Sequence, residues 1–357
     1  EYLPNFTFEC DVWAMKEGTV YFPNESLIRV TGPMFHAQLI ETYILTVLNY
    51  QTIVATKASR IRNVAPEGIL LEFGTRRAHS PMAGVYAARA SYIGGFNGTS
   101  NVLADQLLGI EASGTMAHSF VERYGEEKAF EVFYKIYGED TVQLIDTYDT
   151  IEGAFKVTSF GNDILGVRID SGYLIKESFR VRDILDEAGC EDVKIVLSSD
   201  LNEYKIKEIV EKNTPADVFG IGTELVTSRD DPAISGVYKL MEYNGEPKIK
   251  TSEEKVTYPG KKQVYRKYNE DGKMQKDIMM LEKENPDFEA EALLLPVMKK
   301  GNLVYDLPKL DEIQEYCLTS VSSLPKEYKG LEEIESQPLE ISEKLDRLTK
   351  KLINKYS

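Results

Sequence analysis

The spacing of apolar and polar residues changes along the chain, and each change predicts a different kind of structure. Residues 1–32 have the pattern of short strands, separated by turn residues at 16–18 and 23–25. From residue 33 apolar side chains recur at helical spacing, and from residue 69 short apolar segments alternate with helical ones. After residue 230 the strand period returns, and a final amphipathic helix carries Ile341, Leu345, Leu348 and Leu352 on one face.

These changes predict the domain organisation. We expect residues 1–32 to begin a β domain that residues 231–290 complete, with an α/β barrel domain over 33–230 and a helical C-terminal extension over 291–357. The predicted strand ends of the middle segment fall at Asp146, Asp170, Asp200 and Gly222, which are 24, 30 and 22 residues apart. That is the step of a βα unit, so the pattern predicts a parallel β/α barrel or a doubly wound sheet.

Several local patterns predict individual elements. Residues 19–22 have the composition of a short strand, and residues 255–267 predict a basic strand with a turn at its start. A capping box at Ser119 predicts one helix over residues 120–137. Asp200 is the predicted cap of a later helix.

Composition limits the classes of partner and compartment. The chain has 357 residues, with 42 Lys and Arg against 58 Asp and Glu, and a net charge of −16. This excess of acid argues against a nucleic-acid binder, although a few arginines in a pocket still suit an anionic substrate. Cys10, Cys190 and Cys317 are far apart and odd in number, which favours a reducing, cytoplasmic setting. The sequence has no apolar run of membrane-spanning length.

The stretch from Leu165 to Gly172 joins a strand pattern to two opposite charges. Arg168 and Asp170 are two residues apart, so both side chains extend to the same side of the strand. Alone, the pair fits a buried structural ion pair as well as a site. The other predicted strands also end in polar residues, and parallel strand ends gather on one face, which favours a site. These residues are Arg76, Ser100, His118, Asp146, Asp200 and the loop 220–223.

Each of these residue types has a chemical use. Glycines such as Gly220 let backbone N–H groups approach a phosphate, and an arginine can hold a phosphate or carboxylate through two N–H groups. Asp146 and Asp170 suit ribose hydroxyls, Mg²⁺ or a developing cation. His118 suits a base or a phosphoryl acceptor, and a structural role fits its position equally well.

Taken jointly and in order, the motifs resemble those of nicotinate phosphoribosyltransferases, over residues 1 to at least 270. The stretches that carry the resemblance are Asp11-Val12-Trp13-Ala14-Met15, Gln38-Leu39-Ile40-Glu41-Thr42, Glu72-Phe73-Gly74-Thr75-Arg76-Arg77-Ala78, Asn97-Gly98-Thr99-Ser100-Asn101, Gly114-Thr115-Met116-Ala117-His118-Ser119, Asp146-Thr147-Tyr148-Asp149-Thr150, Gly166-Val167-Arg168-Ile169-Asp170-Ser171-Gly172, Ser198-Ser199-Asp200-Leu201, Phe219-Gly220-Ile221-Gly222-Thr223 and Pro259-Gly260-Lys261-Lys262.

The resemblance implies an α/β fold: an irregular parallel β/α barrel with a flanking, mostly antiparallel β domain and C-terminal helices. It implies that nicotinate and phosphoribosyl pyrophosphate are joined to nicotinate mononucleotide and pyrophosphate, with coupled ATP hydrolysis, in NAD salvage. Mg²⁺ is expected with phosphoribosyl pyrophosphate. The expected assembly is a cytoplasmic homodimer or higher homo-oligomer with active sites at subunit contacts, and neither nucleic acid nor membrane is an expected partner.

The resemblance also implies roles for single residues. Phe73 is expected to stack on the pyridine ring, Arg168 to face its carboxylate, and Asp170 to lie by the ribose and its cationic C1. His118 corresponds to the histidine that ATP phosphorylates. Ser100 stands where the related nicotinamide-using enzymes have an aspartate, and a carboxylate there would repel nicotinate, so serine favours the acid. The other residues expected to bind substrate or its phosphates are Arg76, Asp146, Ser199, Asp200, Gly220, Gly222 and Thr223.

Two departures from the family pattern keep alternatives open. We expect a family segment to precede Glu1, and that segment supplies a ring-stacking tyrosine to a neighbouring subunit. Tyr173 stands where the family commonly has an aspartate, for which Asp200 is a candidate substitute. The alternatives are a nicotinamide or quinolinate enzyme of the same fold, or a non-catalytic nucleotide-binding relative whose pocket Tyr173 fills.

Overall fold

The structure, a computed structural model, describes residues 5–251, 257–332, 334 and 338–356. By their contacts, the described residues form two compact units. Tyr50–Ile234 form one, here called the barrel unit, and the described residues up to Asn49 and from Ser235 onward form the other, here called the β unit. The four domain segments inferred from the sequence stay predictions, because units defined by contacts need not coincide with them.

The strands and helices follow one another in a mixed order. The strands are β1 (Asp11–Met15), β2 (Ile28–Thr31), β3 (Ile69–Glu72), β4 (Gly98–Thr99), β5 (Val142–Leu144), β6 (Gly166–Ile169), β7 (Lys194–Leu197), β8 (Val218–Ile221), β9 (Glu242–Tyr243), β10 (Glu246–Pro247), β11 (Lys262–Tyr268), β12 (Met274–Leu281), β13 (Glu291–Ala292), β14 (Leu294–Lys299), β15 (Asn302–Leu303) and β16 (Leu339–Ile341). The helices are α1 (Met34–Leu39), α2 (Glu41–Val64), α3 (Pro81–Ile93), α4 (Val102–Leu108), α5 (His118–Tyr124), α6 (Glu126–Tyr137), α7 (Thr150–Val157), α8 (Leu174–Glu187), α9 (Glu203–Glu211), α10 (Thr223–Val226), α11 (Leu310–Ser323) and α12 (Glu343–Tyr356). Short 3₁₀ turns lie at Thr75–Arg77, Gly138–Asp140, Thr158–Phe160 and Lys326–Tyr328.

The barrel unit is built on parallel strands in the order β4-β3-β8-β7-β6-β5. Side chains alternate across each strand, so that Leu70, Val167 and Ile195 pack into the main apolar core. Ile69 and Val196, on the other side of their strands, contribute to a separate apolar cluster. Helices cover the core side, as the near-continuous apolar composition of parallel strands requires. The parallel order brings the carboxyl ends of the strands to one edge.

The β unit joins both ends of the chain. β1 pairs with β2 and β14 in the antiparallel sheet β15-β14-β1-β2, and a second sheet has the order β13-β11-β12-β16. Asn244 and Gly245 have positive φ angles of 51° and 78° between β9 and β10, which is the two-residue turn typical of a tight hairpin. The predicted fold class, an α/β barrel with mostly antiparallel β structure and C-terminal helices, is confirmed.

The helix predicted over residues 120–137 is two helices, so that prediction was wrong. Gly125 has a positive φ of 75°, a backbone conformation that L side chains rarely adopt, and it ends α5 before α6 begins. The capping box at Ser119 was also wrong. Helix α5 already includes His118 and its cap position is Ala117, so Ser119 lies inside the first turn.

Two further local predictions were wrong for reasons of hydrogen bonding. Asn202, not Asp200, caps α9, because its side chain accepts the N–H of Lys205. The strand predicted over residues 19–22 is irregular. There the N–H of Val20 donates to the Ser320 hydroxyl, and its carbonyl accepts from the Arg266 guanidinium, so side chains replace the partners that a strand would supply.

The basic strand predicted over 255–267 is described only in part. Residues 255 and 256 lie outside the described residues, and the observed strand β11 covers Lys262–Tyr268. Within the described residues, no helix has both the length and the apolar composition needed to cross a membrane.

Candidate active site

A cavity of about 270 Å³ opens at the carboxyl ends of β3, β6, β7 and β8 in the barrel unit. It brings together most of the residues that the sequence singled out. The ends of β3 and β6 supply Phe73, Arg76, Arg168 and Asp170. The ends of β7 and β8 supply Ser199, Asp200, Gly220, Gly222 and Thr223. Edges of this kind, where parallel strands end, are where α/β folds place their sites.

Arg168 is held by three neighbours. Its Nε donates to the Ser198 hydroxyl at 2.9 Å and its Nη1 to the Thr115 hydroxyl at 2.7 Å. Its Nη2 lies 3.0 Å from Asp170 Oδ1. The two charges therefore extend to the same side of β6, as their spacing predicts, and Arg168 is fixed in a single direction.

Asp170 joins the arginine to the histidine. Its Oδ1 accepts from Arg168 and Ser198, and its Oδ2 lies 3.4 Å from His118 Nε2. Burial acts to raise the pKa of Asp170, but Arg168, together with the bonds from Ser198 and His118, holds it below its ordinary value. The carboxylate is therefore ionised at neutral pH.

His118 lies beside the cavity and is not among the residues that line it. Its Nδ1 is 3.2 Å from the Thr147 hydroxyl, and the side chain is 41% exposed. The imidazole is thus anchored by Thr147 and Asp170 and still accessible to solvent.

Asp146 holds the turn that follows β6. Its Oδ2 accepts the backbone N–H of Asp170 at 2.8 Å and the Ser171 hydroxyl at 2.6 Å. Its Oδ1 is buried and has no hydrogen-bond partner among the described residues. These contacts fix the turn after β6, and they place Asp146 behind Asp170, outside the cavity wall.

Phe73 lies in the cavity wall because Gly220 leaves room for it. A Cβ added to Gly220 would stand 2.5 Å from Cδ2 of the Phe73 ring, closer than real Cβ contacts come. The Arg168 guanidinium carbon is 5.9 Å from the centre of the ring. An aromatic face and a cation therefore adjoin in the cavity.

The turn after β7 has a strained backbone. Ser199 and Asp200 have positive φ angles of 100° and 46°, and neither is glycine. Such conformations cost free energy and persist where the surroundings impose them, often at functional sites. Consecutive N–H groups in such turns can form a concave anion site.

Four residues of this network were not among the predicted site residues. Arg77 and Ser198 line the cavity, and all four belong to motifs quoted above, so only their contacts were missing from the sequence. Thr115 and Thr147 hold Arg168 and His118. Their contacts join residues 53 and 29 positions apart, which no spacing in the sequence reveals.

Two other residues of the sequence analysis lie outside the cavity wall. Ser100 is exposed and directly follows β4. Tyr173 is 57% exposed, and its hydroxyl accepts a hydrogen bond from Lys212 at 3.2 Å. Tyr173 therefore does not fill the cavity. Among the described residues, no group of three or more His, Cys, Asp or Glu side chains is arranged to hold a metal ion.

A second cavity of about 320 Å³ lies against the same wall. Leu71, Val142 and Val218 are among its apolar lining residues, and it shares Phe73 with the first cavity. Thr115, which holds Arg168, also lines it. The Phe73 ring and the threonine that holds Arg168 thus border this second cavity.

Comparisons with known proteins agree with this architecture. The model of the nicotinate phosphoribosyltransferase (NAPRTase) family matches residues 69–275, and the models of its N-terminal and C-terminal domains match residues 1–49 and 286–349. The chain is 41% identical to the nicotinate phosphoribosyltransferase of Bacillus subtilis over 367 residues, which cover 93% of this chain and 75% of that protein.

Solved structures give the same result. The crystal structure of human nicotinic acid phosphoribosyltransferase matches with a TM-score of 0.85 at 28% identity, covering 96% of this chain and 82% of that one. Nicotinate-nucleotide pyrophosphorylase from Pyrococcus furiosus matches with a TM-score of 0.79 at 31% identity, covering 88% and 81%. From the extent of the family match and the identity to its members, the chain belongs to the nicotinate phosphoribosyltransferase family.

Proposed function

We propose that this protein is a nicotinate phosphoribosyltransferase. It joins nicotinate to phosphoribosyl pyrophosphate, releases pyrophosphate, and couples the reaction to ATP hydrolysis in NAD salvage. The observation that carries the proposal is the adjacency of Phe73, Arg168 and Asp170 in one cavity. An aromatic face, a cation and an ionised carboxylate are what an aromatic acid and a cationic ribose carbon require.

Nicotinate would be bound by the first two of these groups. Phe73 offers a face for the pyridine ring. An arginine has five N–H donors, and the contacts of Arg168 to Ser198, Thr115 and Asp170 use three of them. One N–H on each terminal nitrogen is left for the two oxygens of the nicotinate carboxylate, which suits bidentate binding.

Asp170 would act on the ribose. In the transition state C1 of the ribose becomes cationic as the bond to pyrophosphate breaks, and a fixed carboxylate nearby lowers the energy of that state. The lowered pKa of Asp170 keeps it charged for this role. Asp146 would contribute indirectly, because its contacts hold the backbone of Asp170.

The 5′-phosphate would bind at the ends of β7 and β8. Ser199 and Asp200 supply the strained turn, and Gly222 and Thr223 begin the short helix α10. We assign Gly220 mainly to the seat of Phe73, since its missing side chain makes space for the ring. Arg76, in the cavity wall, would contact phosphate or base.

We propose that Mg²⁺ binds in the same cavity and that ATP acts at His118 beside it. Mg²⁺ usually takes one or two carboxylates and the phosphates of its substrate as ligands, and Asp170 and Asp200 both line the cavity. When bound, Mg²⁺ would neutralise charge on the departing pyrophosphate. His118, anchored yet accessible, is the proposed acceptor of the phosphoryl group of ATP.

We further propose a cytoplasmic homodimer or higher homo-oligomer. The three cysteines are unpaired and buried, which suits a reducing compartment. Helix α4, directly after the Ser100 loop, exposes Val102, Leu103 and Leu107 at 64%, 44% and 60%. An apolar face of this kind suits a second copy of the chain. The mass in solution, measured by light scattering, tests this part of the proposal.

Product formation tests the activity. The protein is incubated with phosphoribosyl pyrophosphate and Mg²⁺, with nicotinate, nicotinamide or quinolinate, and with or without ATP, beside the variant His118→Ala. We expect turnover of nicotinate alone, stimulation by ATP, and loss of that stimulation in the variant. Turnover of another base in preference to nicotinate would replace the substrate assignment. A folded protein that binds nicotinate and turns over none of the bases would be a non-catalytic relative.

A further inference from the structure

Glu72 is a buried carboxylate that the proposed reaction does not use. It is 0% exposed and is the last residue of β3, directly before Phe73. Alternation along the strand turns Ile69, Leu71 and Phe73 towards the cavities, whereas Leu70 packs in the helix-facing core. Glu72 therefore lies on the core side of β3, where it has no access to a substrate.

Both carboxylate oxygens of Glu72 accept hydrogen bonds, from two different segments. Oε1 accepts the backbone N–H of Gly74, and Oε2 accepts the Thr99 hydroxyl at 2.6 Å. Thr99 in turn accepts the backbone N–H of Asn101 at 3.0 Å. The Glu72 carboxyl group therefore accepts hydrogen bonds from two segments. One is the loop after β4 (residues 99–101) and the other is the turn after β3 (residues 73–77).

A further contact joins the same two segments. The side-chain amide of Asn101 donates to the Thr75 hydroxyl at 3.1 Å. Gly84 of α3 leaves room for this pair, since a Cβ there would stand 3.1 Å from Thr75 Cγ2 and 3.2 Å from Asn101 Nδ2. The Gly74 carbonyl then accepts the N–H of Arg77 and closes the 3₁₀ turn that carries Arg76.

The buried carboxyl group of Glu72 would be costly in a purely structural role. Burial raises its pKa, and the bonds from Thr99 and Gly74 act against that rise. Both named partners are uncharged, so no cation compensates the carboxylate directly. A group that only filled space here would be cheaper as an apolar side chain.

We infer that Glu72 is a positioning residue, which ties the turn after β3 to the loop after β4 and so holds Phe73 in the base site. The inference deepens the proposed function and rests on it for its kinetic consequence. Because the network sets the ring and not the phosphate turn after β7, its loss should weaken binding of the base more than binding of phosphoribosyl pyrophosphate.

The test changes Thr99, which links the two segments, and leaves the Glu72 side chain as it is. Thr99→Val keeps the shape of the side chain and removes its hydroxyl, whereas Thr99→Ser keeps the hydroxyl. Thr99→Val removes the hydroxyl that donates to Glu72 and accepts from the N–H of Asn101. We expect it to raise KM for nicotinate about ten-fold and to leave KM for phosphoribosyl pyrophosphate within about two-fold. Thr99→Ser should restore KM for nicotinate.

Two measurements keep this test separate from the test of the function. Amide hydrogen exchange across residues 72–78 should rise in Thr99→Val and return to the wild-type rate in Thr99→Ser, whatever the protein turns over. Glu126→Gln is the matched control, because Glu126 is a buried carboxylate of the same unit, paired with Lys156 on other helices. It should lower stability without changing the ratio of the two KM values.

The inference is overturned if exchange over residues 72–78 is the same in Thr99→Val as in the wild type. It is also overturned if KM for both substrates rises equally, or if Glu126→Gln changes the KM ratio as much as Thr99→Val does. Absence of turnover in the wild type would instead overturn the proposed function, and the exchange measurement would still decide the positioning role.

Discussion

Two arginine–aspartate pairs in this chain have the same chemistry and different surroundings. In the β unit, Arg266 on β11 stands directly opposite Asp277 on β12, and two parallel bonds of 2.8 and 2.6 Å join them. Their side chains are 1% and 0% exposed. In the barrel unit, Arg168 lies on β6 and Asp170 directly follows that strand; the two touch through a single 3.0 Å contact and are 16% and 22% exposed.

The two pairs differ in how many residues share the hydrogen bonds of each arginine. In the buried pair each oxygen of Asp277 meets one nitrogen of Arg266, and Arg266 also donates to the Val20 carbonyl. Burial acts to lower the pKa of Arg266, but Asp277 outweighs it and raises that pKa. Arg168 instead contacts three different residues and lines a cavity. We call the Arg266–Asp277 pair closed, because the two side chains bind each other through two hydrogen bonds, and such a pair stabilises the fold. The contacts of Arg168 are divided among three residues, so its remaining N–H groups can bind a ligand.

The largest effect should come from breaking the closed pair. Asp277→Asn removes the charge that pairs with the buried Arg266 guanidinium, so we expect the free energy of unfolding to fall by about 3–5 kcal/mol. Urea denaturation followed by circular dichroism measures this change. The kcat per folded molecule should stay at the wild-type value, because neither Arg266 nor Asp277 is among the residues that line the cavity. A loss below 1 kcal/mol would show that the pair is not structural.

The Asp-to-Asn substitution in the Arg168–Asp170 pair should slow the reaction and have little effect on stability. Asp170→Asn removes the charge that faces the cationic ribose carbon, so we expect kcat to fall about 10²–10³-fold, as on removal of one preorganised group in other enzymes. The free energy of unfolding should change by only about 1 kcal/mol, because the group is partly exposed. Initial rates at saturating substrates, with the unfolding curve as control, separate the two. A kcat within ten-fold of wild type would contradict the role.

The two pairs also show what the sequence could and could not reveal. Arg168 and Asp170 are two residues apart at the end of β6, so the two-residue period of a strand placed both side chains on one side. The polar ends of the neighbouring strands then made a site the better interpretation. Arg266 and Asp277 meet only through the register of β11 and β12, and nothing local marks them.

The same distinction explains most of the remaining differences. The regular step of the βα units located strand ends well: the predicted ends at Asp170 and Gly222 directly follow the observed ends of β6 and β8. Helix ends were missed where one residue decided them, such as Gly125 or Asn202. Thr115 and Glu72 were missed because hydrogen bonds between distant segments define their roles.

A smaller effect should follow from filling the space beside Phe73. In Gly220→Ala the new Cβ meets the ring, and such overpacking costs about 1–3 kcal/mol. We expect most of that cost to appear as a raised KM for nicotinate, since the ring must leave its seat. Gly236→Ala is the control, because its Cβ would meet only Leu45 at an ordinary 3.6 Å. An unchanged KM in Gly220→Ala would separate Phe73 from base binding.

The smallest effect should come from glycine substitutions that relieve backbone strain. Ser199, in a strained turn of the site, is compared with Asn213, in a less strained turn after α9. Ser199 has a φ of 100°, whereas Asn213, after α9, has a φ of 49°, which asparagine tolerates better than other non-glycine residues. Glycine adopts either conformation freely. Ser199→Gly should therefore raise the free energy of unfolding by about 0.5–1 kcal/mol, after subtraction of the entropy that glycine adds to the unfolded chain.

Asn213→Gly should stay within about 0.5 kcal/mol of the wild type, because it relieves little strain there. The same variants show whether the strain at Ser199 serves the phosphate. If the backbone N–H groups of the turn bind the 5′-phosphate, Ser199→Gly keeps them, and KM for phosphoribosyl pyrophosphate should rise only about two- to ten-fold, through loss of the hydroxyl. Melting curves and substrate titrations measure both quantities. A destabilised Ser199→Gly would mean that the serine side chain stabilises the turn by more than its backbone strains it.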